Sequence, residues 1–120
     1  RDRLRVVNDQ TGSPTYAGHL AAAIKSLAGT RLDQPGIYHM TNSGSCTWFD
    51  FAAEIFRLAG IDVDLKPTTS EKFGSPTPRP AYSVLANTRA PEISLPPWRQ
   101  GLIECLQQMG ELSSDTEERP

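Results

Sequence analysis

Cysteine is scarce in this 120-residue chain, and its two copies, Cys46 and Cys105, stand far apart. Neither belongs to a CxxC pair and neither has a histidine at ligand spacing, so no zinc site and no disulfide framework is indicated; a reducing cytoplasm is the compartment that fits. His19 and His39 likewise have no second ligand at metal spacing, and no metal is expected. Basic residues are not in excess: 12 Lys and Arg stand against 14 Asp and Glu, a net charge of −2, and no aromatics alternate with Lys or Arg. That removes the electrostatic footprint and the stacking platform a nucleic-acid partner needs. No apolar run approaches the length of a membrane span, so no membrane partner is expected. There is no GxSxG elbow. None of the three tyrosines (Tyr16, Tyr38, Tyr82) is followed four residues later by lysine, and none of the nine glycines falls in a dinucleotide fingerprint. The chain therefore shows no catalytic residue and no cofactor-phosphate loop.

What is present is ordinary soluble composition, 38% hydrophobic and 22% charged, with enough length for a core. The organising stretch is Val6-Val7-Asn8-Asp9-Gln10-Thr11-Gly12-Ser13-Pro14-Thr15-Tyr16. Leu4, Val6 and Val7 read as the end of a buried strand, since branched apolar side chains suit a packed pleated surface. From Asn8 to Thr15 the residues are small, polar or conformationally special, which suits a loop that presents hydroxyls, an amide and open backbone. Helical spacing follows at once. Strand, polar loop and helix form the unit from which open α/β sheets build binding crevices; the same pattern also makes a plain strand-to-helix turn.

Ala17, Leu20, Ala21, Ile24, Leu27 and Ala28 share one helical face, so a helix is predicted from about Pro14 to Ala28, with Gly29 at its end. Ile37 to Thr41 reads as a strand, which would complete a βαβ unit with parallel strands. Thr47 and Asp50 fit a capping box, predicting a second helix that ends at Gly60 and buries Trp48, Phe51, Ala52, Ile55 and Ala59 as core. Ile61 to Leu65 alternates as a half-exposed strand. Between Pro67 and Pro80 four prolines leave no room for a helix; Phe73, Arg79 and Tyr82 anchor the segment as an extended ordered loop over a cleft. Leu95-Pro96-Pro97-Trp98 opens a last helix whose stripe is Trp98, Leu102, Cys105, Leu106 and Met109, closed by Gly110. Residues 111–120 read as a frayed, disordered acidic tail.

Arg79 is the most informative charge. Held between Pro78 and Pro80, its guanidinium is either a preorganised fork for a phosphate or carboxylate, or a surface ion pair.

Five linked motifs then point to a family: Val6 to Tyr16; Gly36-Ile37-Tyr38-His39-Met40; Ser43-Gly44-Ser45-Cys46-Thr47-Trp48; Arg79-Pro80-Ala81-Tyr82-Ser83-Val84-Leu85; and Leu95-Pro96-Pro97-Trp98. Together they resemble, over about residues 4 to 110, the carboxyl-terminal part of the dTDP-4-dehydrorhamnose reductases, which are extended short-chain dehydrogenase/reductases. The resemblance implies an α/β fold: the carboxyl-terminal part of a Rossmann-like NAD(P)-binding fold plus a small mixed α/β substrate-binding domain. It would place residues 1–42 in the last βαβ elements of the Rossmann-like sheet and 43–110 in the substrate domain. It implies NADPH, bound mainly by an amino-terminal part, as the source of hydride for reducing the 4-keto group of a dTDP-6-deoxyhexulose to give dTDP-L-rhamnose. The chain begins at Arg1 without methionine and runs straight into a strand, so it is expected to be a fragment that is inactive alone. Carried over by motif, Gln10, Ser13 and Thr15 border the dTDP-sugar, and Arg79 with Ser83 lies on its diphosphate side. A homodimer is implied for the intact protein. One departure is Gly18-His19-Leu20-Ala21, where relatives usually carry an acid before Leu-Ala. A reductase-like fold that serves as a non-catalytic regulatory or binding subunit is the alternative.

Overall fold

The computed structural model describes residues 3–30, 33–88 and 93–113. Contacts group them into two compact units, each assembled from separated stretches: residues up to Gly12 with Ser45–Val84, and Ser13–Gly44 with residues from Leu85 onward.

The first unit is built on strand β1 (Arg3–Val7). Its partner is not the segment 37–41, which forms no strand, but β4 (Asp64–Thr68), in parallel from Arg3↔Asp64 to Val7↔Thr68. Ile37 is 81% exposed, whereas Leu65 is half-buried and stands in register with Leu4. The predicted strand 61–65 is accordingly shifted along the chain. Pro67 is tolerated because β4 has β1 as its only neighbour among the described residues, and proline suits an edge. Strand β2 (Thr11–Gly12) pairs antiparallel with β3 (Cys46–Thr47).

Helix α2 (Trp48–Ala59) starts where the spacing predicts. Thr47 Oγ1 accepts from the Asp50 amide at 3.1 Å, the Asp50 carboxylate accepts from the Thr47 amide at 3.4 Å, and Gly60 closes the helix in the left-handed region at φ 69°. It packs on β1, β3 and β4. A one-turn helix, α3 (Ser70–Phe73), interrupts the segment predicted to hold none. The proline-free stretch 68–75 leaves room for one turn, Thr69 caps it, and Gly74 ends it at φ 79°.

In the second unit α1 (Ala17–Thr30) begins after Tyr16 rather than at Pro14 and continues through Gly29. Its predicted core face is largely exposed: Ala17, Ala21, Ile24 and Ala28 all face solvent, and Ala23 is the buried residue. Helix α4 (Trp98–Gln108) carries the core, with Trp98, Leu102, Ile103 and Leu106 buried and Ile103 only 2% exposed. Its buried face is centred on Leu102 and Ile103, so Met109, predicted inside, is exposed. Most of the tail prediction, residues 114–120, lies outside the described residues.

Candidate functional site

Where β1 ends, the chain is tied twice to later segments of the first unit. The Asp9 carboxylate accepts from the Ser70 amide at 3.0 and 3.1 Å and from the Ser70 hydroxyl at 2.6 Å, placing a negative charge at the start of α3. Gln10 Nε2 in turn donates to Ser70 Oγ at 3.0 Å. The Ser70 hydroxyl bond, followed by its amide, holds the Asp9 carboxyl below its ordinary value. The second tie is at Thr11, whose amide donates to the Ala81 carbonyl at 2.8 Å and whose carbonyl accepts from the Ser83 amide at 2.9 Å. This parallel bridge to Tyr82 pins the proline segment alongside β2.

Between these ties lies a cleft of about 610 Å³. Arg5, Val6 and Val7 of β1 form one wall, Gln10 and Trp48 another, and Ser70, Glu71 and Phe73 of α3 with Ser75, Thr77, Pro78 and Arg79 complete it. Two of the sequence-predicted residues, Gln10 and Arg79, are thus brought to one cavity. Arg79 makes no ion pair or hydrogen bond among the described residues, so the surface-pair alternative has no partner carboxylate there. Ser83 is in the same unit but not on the cleft wall; its Oγ donates to the Thr11 carbonyl at 3.3 Å, and it serves the bridge. Ser13 and Thr15 belong to the second unit, where Ser13 Oγ donates to the Gly44 carbonyl at 2.7 Å and Thr15 Oγ1 to the Ser13 carbonyl at 3.0 Å.

Two cleft residues escaped the sequence reading. Trp48, assigned to the core, is 53% exposed and meets Phe51 edge to face. As the first residue of α2 it has no preceding turn to lie over, so its indole reaches past the helix end. Arg5 follows Leu4 in the strand alternation, which marks it as facing away from Leu4, but one exposed arginine carries no ligand signal by itself. Chemically the cleft offers two guanidinium forks against one carboxylate, Glu71, with the exposed rings of Trp48 and Phe73 nearby. Forks of this kind recognise phosphate or carboxylate oxygens, and aromatic faces accept a planar ring.

The model of the RmlD substrate binding domain matches residues 1–111. The chain belongs to that family. Among similar curated proteins, the spore coat polysaccharide biosynthesis protein SpsK of Bacillus subtilis is 44% identical over 90% of the chain and 38% of its own length. The dTDP-4-dehydrorhamnose reductase of Streptomyces griseus is 42% identical, over 86% of the chain and 36% of its own length. A crystal structure of dTDP-4-dehydrorhamnose reductase from Bacillus anthracis in complex with NADP matches with a TM-score of 0.84 and 38% identity, over 90% of the chain and 39% of the enzyme. This family member therefore spans somewhat over a third of the length of these relatives, and over that part it shares the mixed α/β architecture of the Bacillus anthracis structure.

Proposed function

We propose that this chain is the sugar-nucleotide-binding part of an NADPH-dependent reductase that converts dTDP-4-dehydro-6-deoxy-L-mannose to dTDP-L-rhamnose, with β1 read as a late strand of that enzyme's Rossmann-like sheet. The observation that carries the reading is Arg79: a guanidinium with no ion pair or hydrogen bond among the described residues, framed by Pro78 and Pro80, on the wall of a cleft that also holds a second guanidinium and exposed aromatic rings. The proline frame limits the entropy lost in aiming the fork at a diphosphate. Trp48 and Phe73 supply faces for the thymine ring, and Gln10 an amide for its edge or for the sugar.

The nicotinamide cofactor does not fit the described residues on their own. β1 leads into β2 rather than into a helix, and the start of α1 is covered: a Cβ at Gly18 would lie 2.5 Å from the Tyr16 ring. A dinucleotide cradle needs an open glycine turn and a free helix amino terminus, so no step of hydride transfer is assigned to this chain.

In a complete reductase carrying this chain, Arg79→Lys keeps the charge and loses the planar fork. Hydrogen bonds to charged groups are worth about 1.5–3 kcal/mol, so the apparent affinity for the dTDP-ketosugar falls roughly ten- to a hundredfold. Affinity for NADPH stays as it was. Unchanged substrate affinity in that variant removes Arg79 from the site and the reading with it.

A further inference from the structure

Gln10 meets the cleft of the first unit with one end of its amide already committed. Its Nε2 lies 3.0 Å from Ser70 Oγ, and Ser70 Oγ lies 2.6 Å from Asp9 Oδ1. An ionised carboxylate only accepts, so the single hydroxyl hydrogen of Ser70 goes to Asp9. Ser70 Oγ is left with lone pairs for Gln10, and a flipped Gln10 amide would set oxygen against oxygen. This relay fixes the polarity of the amide: Nε2 is turned to Ser70 and Oε1 is turned away. Oε1 makes no hydrogen bond among the described residues, and no buried side-chain nitrogen or oxygen among them lacks a partner, so this oxygen is open to an incoming group.

Its place on the wall narrows what it can read. Ser70 and Phe73 both line the cleft and stand three residues apart in α3, a spacing that makes side chains neighbours on a helix. The Gln10 amide therefore sits beside the turn that carries the 63%-exposed Phe73 ring. A base stacked on that ring presents its edge, not its face, to a group alongside. Arg5 and Arg79 offer hydrogens and no lone pair, which suits phosphate oxygens and leaves a ring N–H unanswered. Glu71 can accept, but its carboxylate repels the two carbonyls that flank the ring N–H of thymine or uracil. Gln10 offers both signs: Oε1 for the N–H, and the second Nε2 hydrogen for one of the carbonyls. Because that N–H lies between two carbonyls, such a ring matches a fixed amide whichever way it is turned over.

We infer that Gln10 is a specificity-determining residue for the base: its Oε1 accepts from the ring N3–H of a thymine or uracil nucleotide and its Nε2 donates to a flanking carbonyl, with Ser70 and Asp9 as the positioning residues that set the amide. The inference rests on the reading of this cleft as a sugar-nucleotide site, and goes beyond it in giving the amide to the base and not to the sugar.

The test measures, by calorimetry on a complete reductase carrying this chain, the affinities of dTDP and of its N3-methyl analogue, which lacks the ring hydrogen. The native protein should bind the methylated ligand about tenfold or more weakly, since a hydrogen bond is lost and an acceptor is left facing a methyl group. That ratio should shrink to about threefold or less in Gln10→Ala and in Ser70→Ala, the second of which keeps the glutamine and frees its amide to turn. Ser70→Thr retains the hydroxyl and should restore the native ratio, which a merely structural role for Ser70 does not require. Equal affinity of the native protein for the two ligands, with dTDP still weakened by Arg79→Lys, overturns this inference and leaves the sugar-nucleotide reading standing. An undiminished ratio in Gln10→Ala overturns it as well, because the ring hydrogen is then read elsewhere. Unaltered dTDP affinity in Arg79→Lys overturns the sugar-nucleotide reading itself.

Discussion

A single carboxylate, Asp9, orients α3 through three contacts to Ser70. Because its folded value is lowered from 3.8, the charged form is the one the fold favours, so its contribution is complete above 3.8 and is lost as pH falls through the lower folded value. Titrating α3 amide shifts should show a transition below pH 3.8 that is absent in Asp9→Asn. Gly101 gives a second prediction at this scale. A Cβ there would lie 2.6 Å from Asn42 Oδ1 and 3.1 Å from Tyr16 Cβ, against groups that are hydrogen-bonded and cannot retreat. Gly101→Ala should therefore destabilise the chain by about 1–3 kcal/mol in denaturant unfolding, despite the better helix propensity of alanine. The fixed frame of Arg79 was legible in the sequence because Pro78 and Pro80 flank it. Trp48 was not, because helical periodicity says which residues share a face and not that the first of them overhangs the end.

Among the elements, α2 was the most legible, since its start and stop are local chemistry: a threonine, an aspartate three residues on, and a glycine. Thr47→Ala removes the acceptor for the Asp50 amide, and loss of such a cap costs about 1 kcal/mol, read as a fall of a few degrees in Tm. The partner of β1 was illegible for the opposite reason. Both 37–41 and 64–68 can be extended, and what decides between them is which one finds a packed surface, a fact of tertiary contact that a run of five residues does not contain. α1 makes the same point: its periodicity is sound, but most of that face has no buried counterpart among the described residues.

For the whole chain, binding and chemistry separate. It carries a cleft with guanidinium forks but no Tyr-xxx-Lys pair and no dinucleotide fingerprint, so the 120 residues alone should leave NADPH unoxidised in the presence of the dTDP-ketosugar. Absorbance at the nicotinamide band, compared with a protein-free control, checks this; oxidation above the control would mean that an acid and a cofactor site were overlooked. The ladder from Arg3↔Asp64 to Val7↔Thr68 also sets a timetable. Its partners are 64 − 3 = 61 residues apart, and the Thr11–Tyr82 bridge spans 82 − 11 = 71. At about 5–20 residues per second, β1 leaves the ribosome roughly 3–12 s before β4 exists to pair with it. Throughout that interval a strand with Leu4, Val6 and Val7 waits without its neighbour, and such long-range pairing is intrinsically slow. Yield on expression should therefore depend on translation speed more than the folded contacts would suggest.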